Sequence, residues 1–298
     1  MKRTEEVFVG KLSEGEVAAR LLEHEQVLCV VNTRQQALDI FKALPESDAN
    51  IHLSALMHPA HRYEKLTEIR KRLQPGSGRP CRVISTQLIE AGVDVDFPCV
   101  FRAVAGIDSI AQAAGRCNRN GRNEVPGKVF VFAFPEDGGC SFFRQAAQSA
   151  AKLFGEYEGR LTAPECVRAY FADFFWNNEQ RMDGDGILTI CLPAQSGDIQ
   201  FRELAKFRMI QSASVPVIIA GDEKAQNLVR ALEAAEHKGG ILRKLQQFTV
   251  QIYPYQLDEI RDWLEEPIPE IWVLRSSELY SDTTGLKCKP PQGNAFFG

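Results

Sequence analysis

Between residues 27 and 134 the chain alternates short apolar runs with segments of helical periodicity. The apolar runs are 27–32, 51–57, 82–87, 100–104 and 128–134, and the helical patterns between them are 34–44, 60–73 and 109–118. A strand that is apolar along its whole length has no solvent face, so helices must cover it on both sides. The pattern therefore predicts an α/β fold with a parallel sheet between two helical layers. In such sheets ligand-binding loops collect beyond the carboxyl ends of the strands. The most unusual segments of the chain fall on those loops or just past them. Asp108 or Ser109 is placed to cap the helix leading to the last of these segments.

The core is expected to run over residues 27–138, with 1–26 as a linker and leading helix. Residues 139–184 read as a helical linker, ended by Asp183-Gly-Asp-Gly. Residues 185–298 combine strand-like runs at 187–192, 215–220, 248–253 and 271–275 with helical patterns at 222–237 and 257–264. That mixture predicts a small α+β C-terminal domain.

No run of 18 apolar residues occurs, so no membrane span is expected, and the charged N-terminal stretch is unlike a signal peptide. The eight cysteines are scattered without a CxxC pair, which suits reduced thiols in a cytoplasmic protein. The net charge of −4 does not advertise nucleic-acid binding. Residues 60–128 hold 12 Lys or Arg against 7 Asp or Glu, but that excess alone also fits solvated helix faces.

Three segments carry chemistry. Residues 112–122, QAAGRCNRNGR, place Arg116, Arg119 and Arg122 at spacings of three around Gly115 and Gly121. Guanidinium forks suit phosphate, and glycines allow close backbone approach. Arginines three apart can simply solvate a helix, but that leaves the glycines and Gln112 unexplained. Residues 82–97, RVISTQLIEAGVDVDF, end a strand in Ser85-Thr86 and continue to Gly92 and Asp94. Hydroxyls and amides at a strand end can hold a phosphate oxygen, and an acidic residue there can bind a ribose. On their own these residues also fit an ordinary strand and turn. Residues 27–37, VLCVVNTRQQA, run from a strand through Asn32 and Thr33 into a helix, whose N-terminus favours an anion. Either residue can equally serve as the helix cap.

In order and spacing these segments resemble motifs IV, V and VI of superfamily 2 helicases. Within that superfamily GRCNRNGR, and after it AKFRMI, VPVII, LRKLQQFTVQIYP and ELYSDTTGL, resemble the CRISPR-associated helicase-nuclease of type I systems, notably its subtype I-C branch. The resemblance implies a second RecA-like helicase domain acting on ATP with Mg²⁺. Arg116 and Arg119 would be arginine fingers reaching the γ-phosphate. Gln112, Gly92 and Asp94 would lie on the nucleotide side, and Asn32, Thr33 and Thr86 near the DNA backbone. The implied partners are single-stranded DNA, the first RecA-like and nuclease domains of the same enzyme, and the Cascade effector complex. Translocation would run 3′→5′.

The sequence contains no GxxxxGK followed by Ser or Thr, and no Asp-Glu-x-His box; Asp258-Glu259-Ile260-Arg261 ends wrongly. These parts belong to a first motor domain, so the chain is expected to correspond to the region after it and to be inactive alone. His58 and His61 form an HxxH pair, but Pro59 separates them and no third ligand is evident, so no metal site is expected. Two other readings stay open: a non-catalytic module that binds DNA or Cascade, and a helicase outside CRISPR.

Overall fold

The structure, a computed structural model, describes residues 3–288 apart from 91, 122–124, 136–140, 185, 188–200, 206, 208–213 and 277. Arg122, most of the 187–192 run and most of AKFRMI fall outside the described residues.

A six-stranded sheet forms the first module, in the order β1-β6-β5-β2-β4-β3. Its strands are β1 (Thr4–Lys11), β2 (Gln26–Val30), β3 (Asn50–Leu53), β4 (Cys81–Ser85), β5 (Cys99–Ala103) and β6 (Gly127–Ala133). Every pairing is parallel, with Val30 opposite Ser85 on one side and Arg102 on the other. Five strands follow the apolar runs. The sixth, β1, comes from the stretch read as a linker, because TEEVFVGK presents polar residues at an edge and lacks a continuous apolar run.

Helices cover both faces. On one, α1 (Glu14–Leu22) and α2 (Arg34–Ala43) set Val17, Leu21, Ala37 and Ile40 against Cys29, Ile84 and Phe101. Both helices open with a capping box, Ser13 with Glu16 and Thr33 with Gln36. The other face holds α3 (Pro59–Arg72), α4 (Ile107–Ala114), α5 (Ser141–Ala151) and α6 (Pro164–Asn178), which bury Ile69, Ile110, Ala150 and Tyr170 over Val83, Val100 and Val129. Each fully buried Leu or Ile contributes roughly 1.5–3 kcal/mol.

The cap expected at Asp108 or Ser109 is not used. Gly106 is the N-cap of α4 and makes no side-chain cap bond. A β-carbon at Gly106 would collide with Asp108 Oδ1 and the Tyr170 hydroxyl, so α6 approaches too closely for a side chain there.

The second module is a four-stranded mixed sheet, β8-β7-β10-β9, of β7 (Val215–Ile219), β8 (Thr249–Ile252), β9 (Leu264–Ile268) and β10 (Ile271–Leu274). Only β7 and β10 pair in parallel. The helix Glu223–Ala234 covers one face and Pro254–Ile260 the other. A hairpin of Tyr280–Ser281 and Gly285–Leu286 joins this module to the first. Leu286 N–H donates to the Leu56 carbonyl at 2.9 Å, and Gly285, at φ +81°, has room for no β-carbon against that same carbonyl.

His58 and His61 serve this junction. His58 caps α3 by accepting from His61 N–H, and the two ring nitrogens of His61 meet the Tyr280 hydroxyl at 2.9 Å and the Asp282 carbonyl at 3.0 Å. Cys29, Cys81, Cys99, Cys117 and Cys166 are buried and unbridged. Among the described residues no helix is long and apolar enough to cross a membrane.

Candidate functional site

Two of the expected loops leave the carboxyl edge of the sheet side by side, because β2 and β4 are parallel neighbours. Thr33, after β2, uses its hydroxyl to accept from Gln36 N–H at 3.1 Å and so caps α2. Asn32 is turned inward: its Nδ2 donates to the Val104 carbonyl at 2.8 Å and its Oδ1 accepts from Arg102 at 2.7 Å. Thr86, after β4, is 6% exposed and starts a short 3₁₀ turn, Gln87–Ile89, without a side-chain cap bond.

From Thr86 the chain crosses the α4 face of the sheet towards the entry of β5. Gly92 takes φ +71°, a left-handed conformation that glycine adopts without strain. Val95 and Phe97 are buried beneath this crossing, while the Asp94 side chain is 81% exposed. The 112–121 segment meets the crossing at its far end. Phe97 N–H donates to the Arg116 carbonyl, and Asn118 N–H donates to the Phe97 carbonyl, both at 2.8–2.9 Å. Phe97 lies two residues before the start of β5, so Arg119 sits near the amino edge of the sheet, opposite Asn32 and Thr86. The expectation that all these residues share the carboxyl edge is therefore corrected. A parallel crossover requires α4 to travel back along the sheet before β6 begins, and it carries the arginines with it. They remain on the same face as the Thr86–Phe97 crossing.

Three expected residues converge there. Arg119 Nε lies 3.1 Å from Asp94 Oδ1, with the Arg119 side chain 39% exposed. Arg116 reaches back along the crossing, donating from Nε to the Ile89 carbonyl at 3.2 Å and from Nη2 to the Glu90 carbonyl. Burial followed by the nearby Arg119 charge lowers the Arg116 pKa, and Asp94 and Glu90 oppose that. Gln112 is exposed on α4, one turn before Gly115.

Three further residues shape the site. Asp96 accepts from Arg119 N–H at 2.7 Å, Asn120 N–H at 3.2 Å and Asn120 Nδ2 at 2.8 Å, fixing the loop that carries Arg119. Glu90 and Arg102 form an ion pair at 3.1 Å, with side chains 3% and 0% exposed. Their signals were present in the sequence: an arginine inside the apolar run 100–104, and two further acids beside Gly92 and Asp94.

Chemically, Arg119 offers a guanidinium fork at the surface beside one exposed carboxylate, with the part-buried Arg116 guanidinium next to it on the Ile89 and Glu90 carbonyls. That set suits a polyphosphate approached from one side. Among the described residues no three His, Cys, Asp or Glu side chains group as metal ligands.

Residues 23–122 match the family described as CRISPR-associated nuclease/helicase Cas3, C-terminal. The chain is 33% identical over 195 residues to the CRISPR-associated nuclease/helicase Cas3 of Methanothermobacter thermautotrophicus, covering 62% of this chain and 23% of the relative. Its fold is similar to the crystal structure of T. fusca Cas3-AMPPNP, with TM-score 0.59 and 17% identity, over 96% of this chain and 41% of the other. It is also similar to a chain in a CRISPR RNA-guided surveillance complex, pre-nicking, with TM-score 0.58 and 17% identity, over 96% and 43%. The chain thus spans under a quarter of the curated relative and about two fifths of the solved chains.

Proposed function

We propose, for a chain whose residues 23–122 match the C-terminal family of the CRISPR-associated nuclease/helicase Cas3, that it supplies one wall of an ATP-driven motor on single-stranded DNA. The observation that carries this reading is the convergence of Asp94, Arg116 and Arg119 at the end of α4, with Arg119 and Asp94 paired at the surface and Arg116 seated on main-chain carbonyls. The fold likeness to Cas3-AMPPNP supports a nucleotide as the ligand.

ATP with Mg²⁺, bound by a first RecA-like domain, would supply the transferable phosphoryl group. Arg119 and Arg116 then neutralise charge developing on it, an effect of about 10³–10⁵ in rate where such fingers have been measured. Asp94 holds Arg119 at 3.1 Å and yields it to the more highly charged phosphate. Gly92 gives the crossing its left-handed turn, and Gln112 would lie on the nucleotide side. At the other end, the Thr33 and Thr86 loops receive the DNA backbone, with Asn32 holding the first of them in shape.

The partners in this reading are the first RecA-like and nuclease domains of the same enzyme and a Cascade effector, supported by the surveillance-complex likeness. Its cellular place is the cytoplasm, where thiols such as Cys29 and Cys81, pushed up to about 12 by burial, stay reduced. A second reading, a DNA- or Cascade-binding module without hydrolysis, is favoured by the lack of a phosphate-binding loop in this sequence.

The test is kinetic. In the full-length enzyme Arg119→Ala should collapse kcat for ATP while single-strand affinity stays within a few fold. Arg119→Lys should rescue poorly, because an ammonium cannot reproduce the fork. Wild-type turnover in the lysine variant overturns the finger role, and DNA binding without any hydrolysis supports the second reading.

A further inference from the structure

An arginine at the centre of an apolar strand needs a reason. Arg102, on β5, is fully buried between Val30 of β2 and Val131 of β6. Its Nη1 donates to Asn32 Oδ1 at 2.7 Å and to the Ala103 carbonyl at 3.0 Å, and its Nε faces Glu90 Oε1 at 3.1 Å. The main-chain carbonyl of that same Glu90 accepts from Arg116 Nη2. A chain of polar contacts thus runs from Asn32 through Arg102 and Glu90 to Arg116, joining the loop after β2 to the seat of one finger.

Stability does not explain it. A buried ion pair is often no better than apolar residues of similar volume, since desolvation offsets the attraction. Arg102 Nη2 is buried without a partner, so the arrangement is not optimised for hydrogen bonding either. Burial raises the Glu90 pKa, with Arg102 opposing it, while the guanidinium stays charged. What the pair does achieve is geometric. The loop after β2 and the turn that seats Arg116 lie on different segments and are fixed to one rigid group.

We propose that Arg102 is a positioning residue that couples the DNA-facing loop at Asn32 and Thr33 to the placement of Arg116, transmitting strand loading to the nucleotide side. The proposal rests on the motor reading above. When the loop is displaced by a bound strand, the Asn32–Arg102 contact moves with it, and Glu90 carries the shift into the carbonyl that holds Arg116. Arg102 touches neither substrate, so its loss acts on coupling and not on binding.

The experiment uses the full-length enzyme with oligothymidylate as the strand. Two variants are compared with wild type. Arg102→Lys keeps the charge but replaces a fork that reaches Asn32, the Ala103 carbonyl and Glu90 by one ammonium. Arg102→Met combined with Glu90→Gln removes the pair without leaving either charge alone in the core. Melting curves establish that each is folded. Basal and DNA-stimulated kcat, KM for ATP and the affinity for oligothymidylate are then measured.

The expected result is a fall of about tenfold or more in DNA-stimulated kcat, the size of ordinary coupling between two sites. KM for ATP and strand affinity should stay within about threefold in the same folded variant, and basal kcat should fall by a smaller factor than DNA-stimulated kcat, so that the stimulation ratio shrinks. A folded variant that keeps its stimulation overturns the proposal. Basal and stimulated kcat falling together overturns it too, since that is what a merely structural role produces. A wild-type enzyme whose ATP turnover does not respond to DNA overturns the motor reading, and this proposal with it.

Discussion

Tyr280→Phe should loosen the junction between the two modules without touching the candidate site. The Tyr280 hydroxyl accepts from His58 N–H at 3.2 Å and meets His61 Nδ1 at 2.9 Å. His61 Nε2 faces a carbonyl, that of Asp282, at 3.0 Å, so Nε2 carries the proton and Nδ1 is the acceptor. The tyrosine therefore donates to His61 and accepts from His58. Deleting the oxygen leaves one acceptor and one donor without partners, each costing about 1–3 kcal/mol when fully buried. Tyr280 and His58 are half-buried, and water reaches part of the gap, so the two together should cost about 2 kcal/mol. The rings keep their stacking, with centroids 5.3 Å apart, so packing loss is small. A loss of about 2 kcal/mol raises the population of the undocked hairpin about 30-fold. Limited proteolysis under conditions where opening is fast reports that population directly, and residues 278–288 should be cut correspondingly faster. A variant cut at the wild-type rate, with its melting temperature unchanged, would refute the assignment of Tyr280 as the fastener.

The same junction should weaken in acid. Burial pushes His58 down to about 4 and also lowers His61, so both folded values lie below the ordinary 6.5. Protonation then favours the undocked state. The stabilisation is complete above about pH 6.5 and is lost as the pH falls towards 4, as melting curves across that range should show. Asp96→Asn should damage the arginine loop, because only one of its two side-chain positions still accepts and the other turns a donor at the N–H of either Arg119 or Asn120. The expected losses are about 1–2 kcal/mol of stability, read by denaturant melts, and about tenfold in kcat of the full-length enzyme. Unchanged values in both would show that Asp96 does not hold the loop.

Much of the sheet was legible because its strands are apolar without interruption, and few other arrangements hide both faces of such a strand. β1 was not, since an edge strand needs cover on fewer sides and Glu5, Glu6 and Lys11 blur its pattern. The motif residues were legible as types at spacings. Their edge of the sheet was not, because sequence spacing does not report that α4 carries Arg116 and Arg119 back towards the amino ends of the strands. Thr33 has the cap role that its chemistry also permitted. Asn32 shows the limit of reading a polar residue at a strand end as a ligand contact. Its partner Arg102 lies 70 residues away, and no local pattern links them. Arg102 itself was visible as a charge in an apolar run and carried more information than the apolar residues around it.

The first strand of the sheet also sets an order of events during synthesis. Among the described residues β1 pairs with β6 alone, Thr4 opposite Gly127 and Phe8 opposite Val131. At ribosomal speeds of about 5–20 residues per second, its partner follows roughly 6–25 seconds later. Through that interval β1 waits with its backbone groups bonded to water in place of a strand and with Val7 and Val9 exposed beside it. Its other edge waits longer still, since the Glu6 carbonyl accepts from Gly159 N–H and the Glu6 carboxylate from the Thr162 hydroxyl. The acidic residues at positions 5 and 6 keep this early segment soluble and discourage it from pairing with another nascent chain. When β6 and the 159–162 turn emerge, β1 gains a partner along each edge.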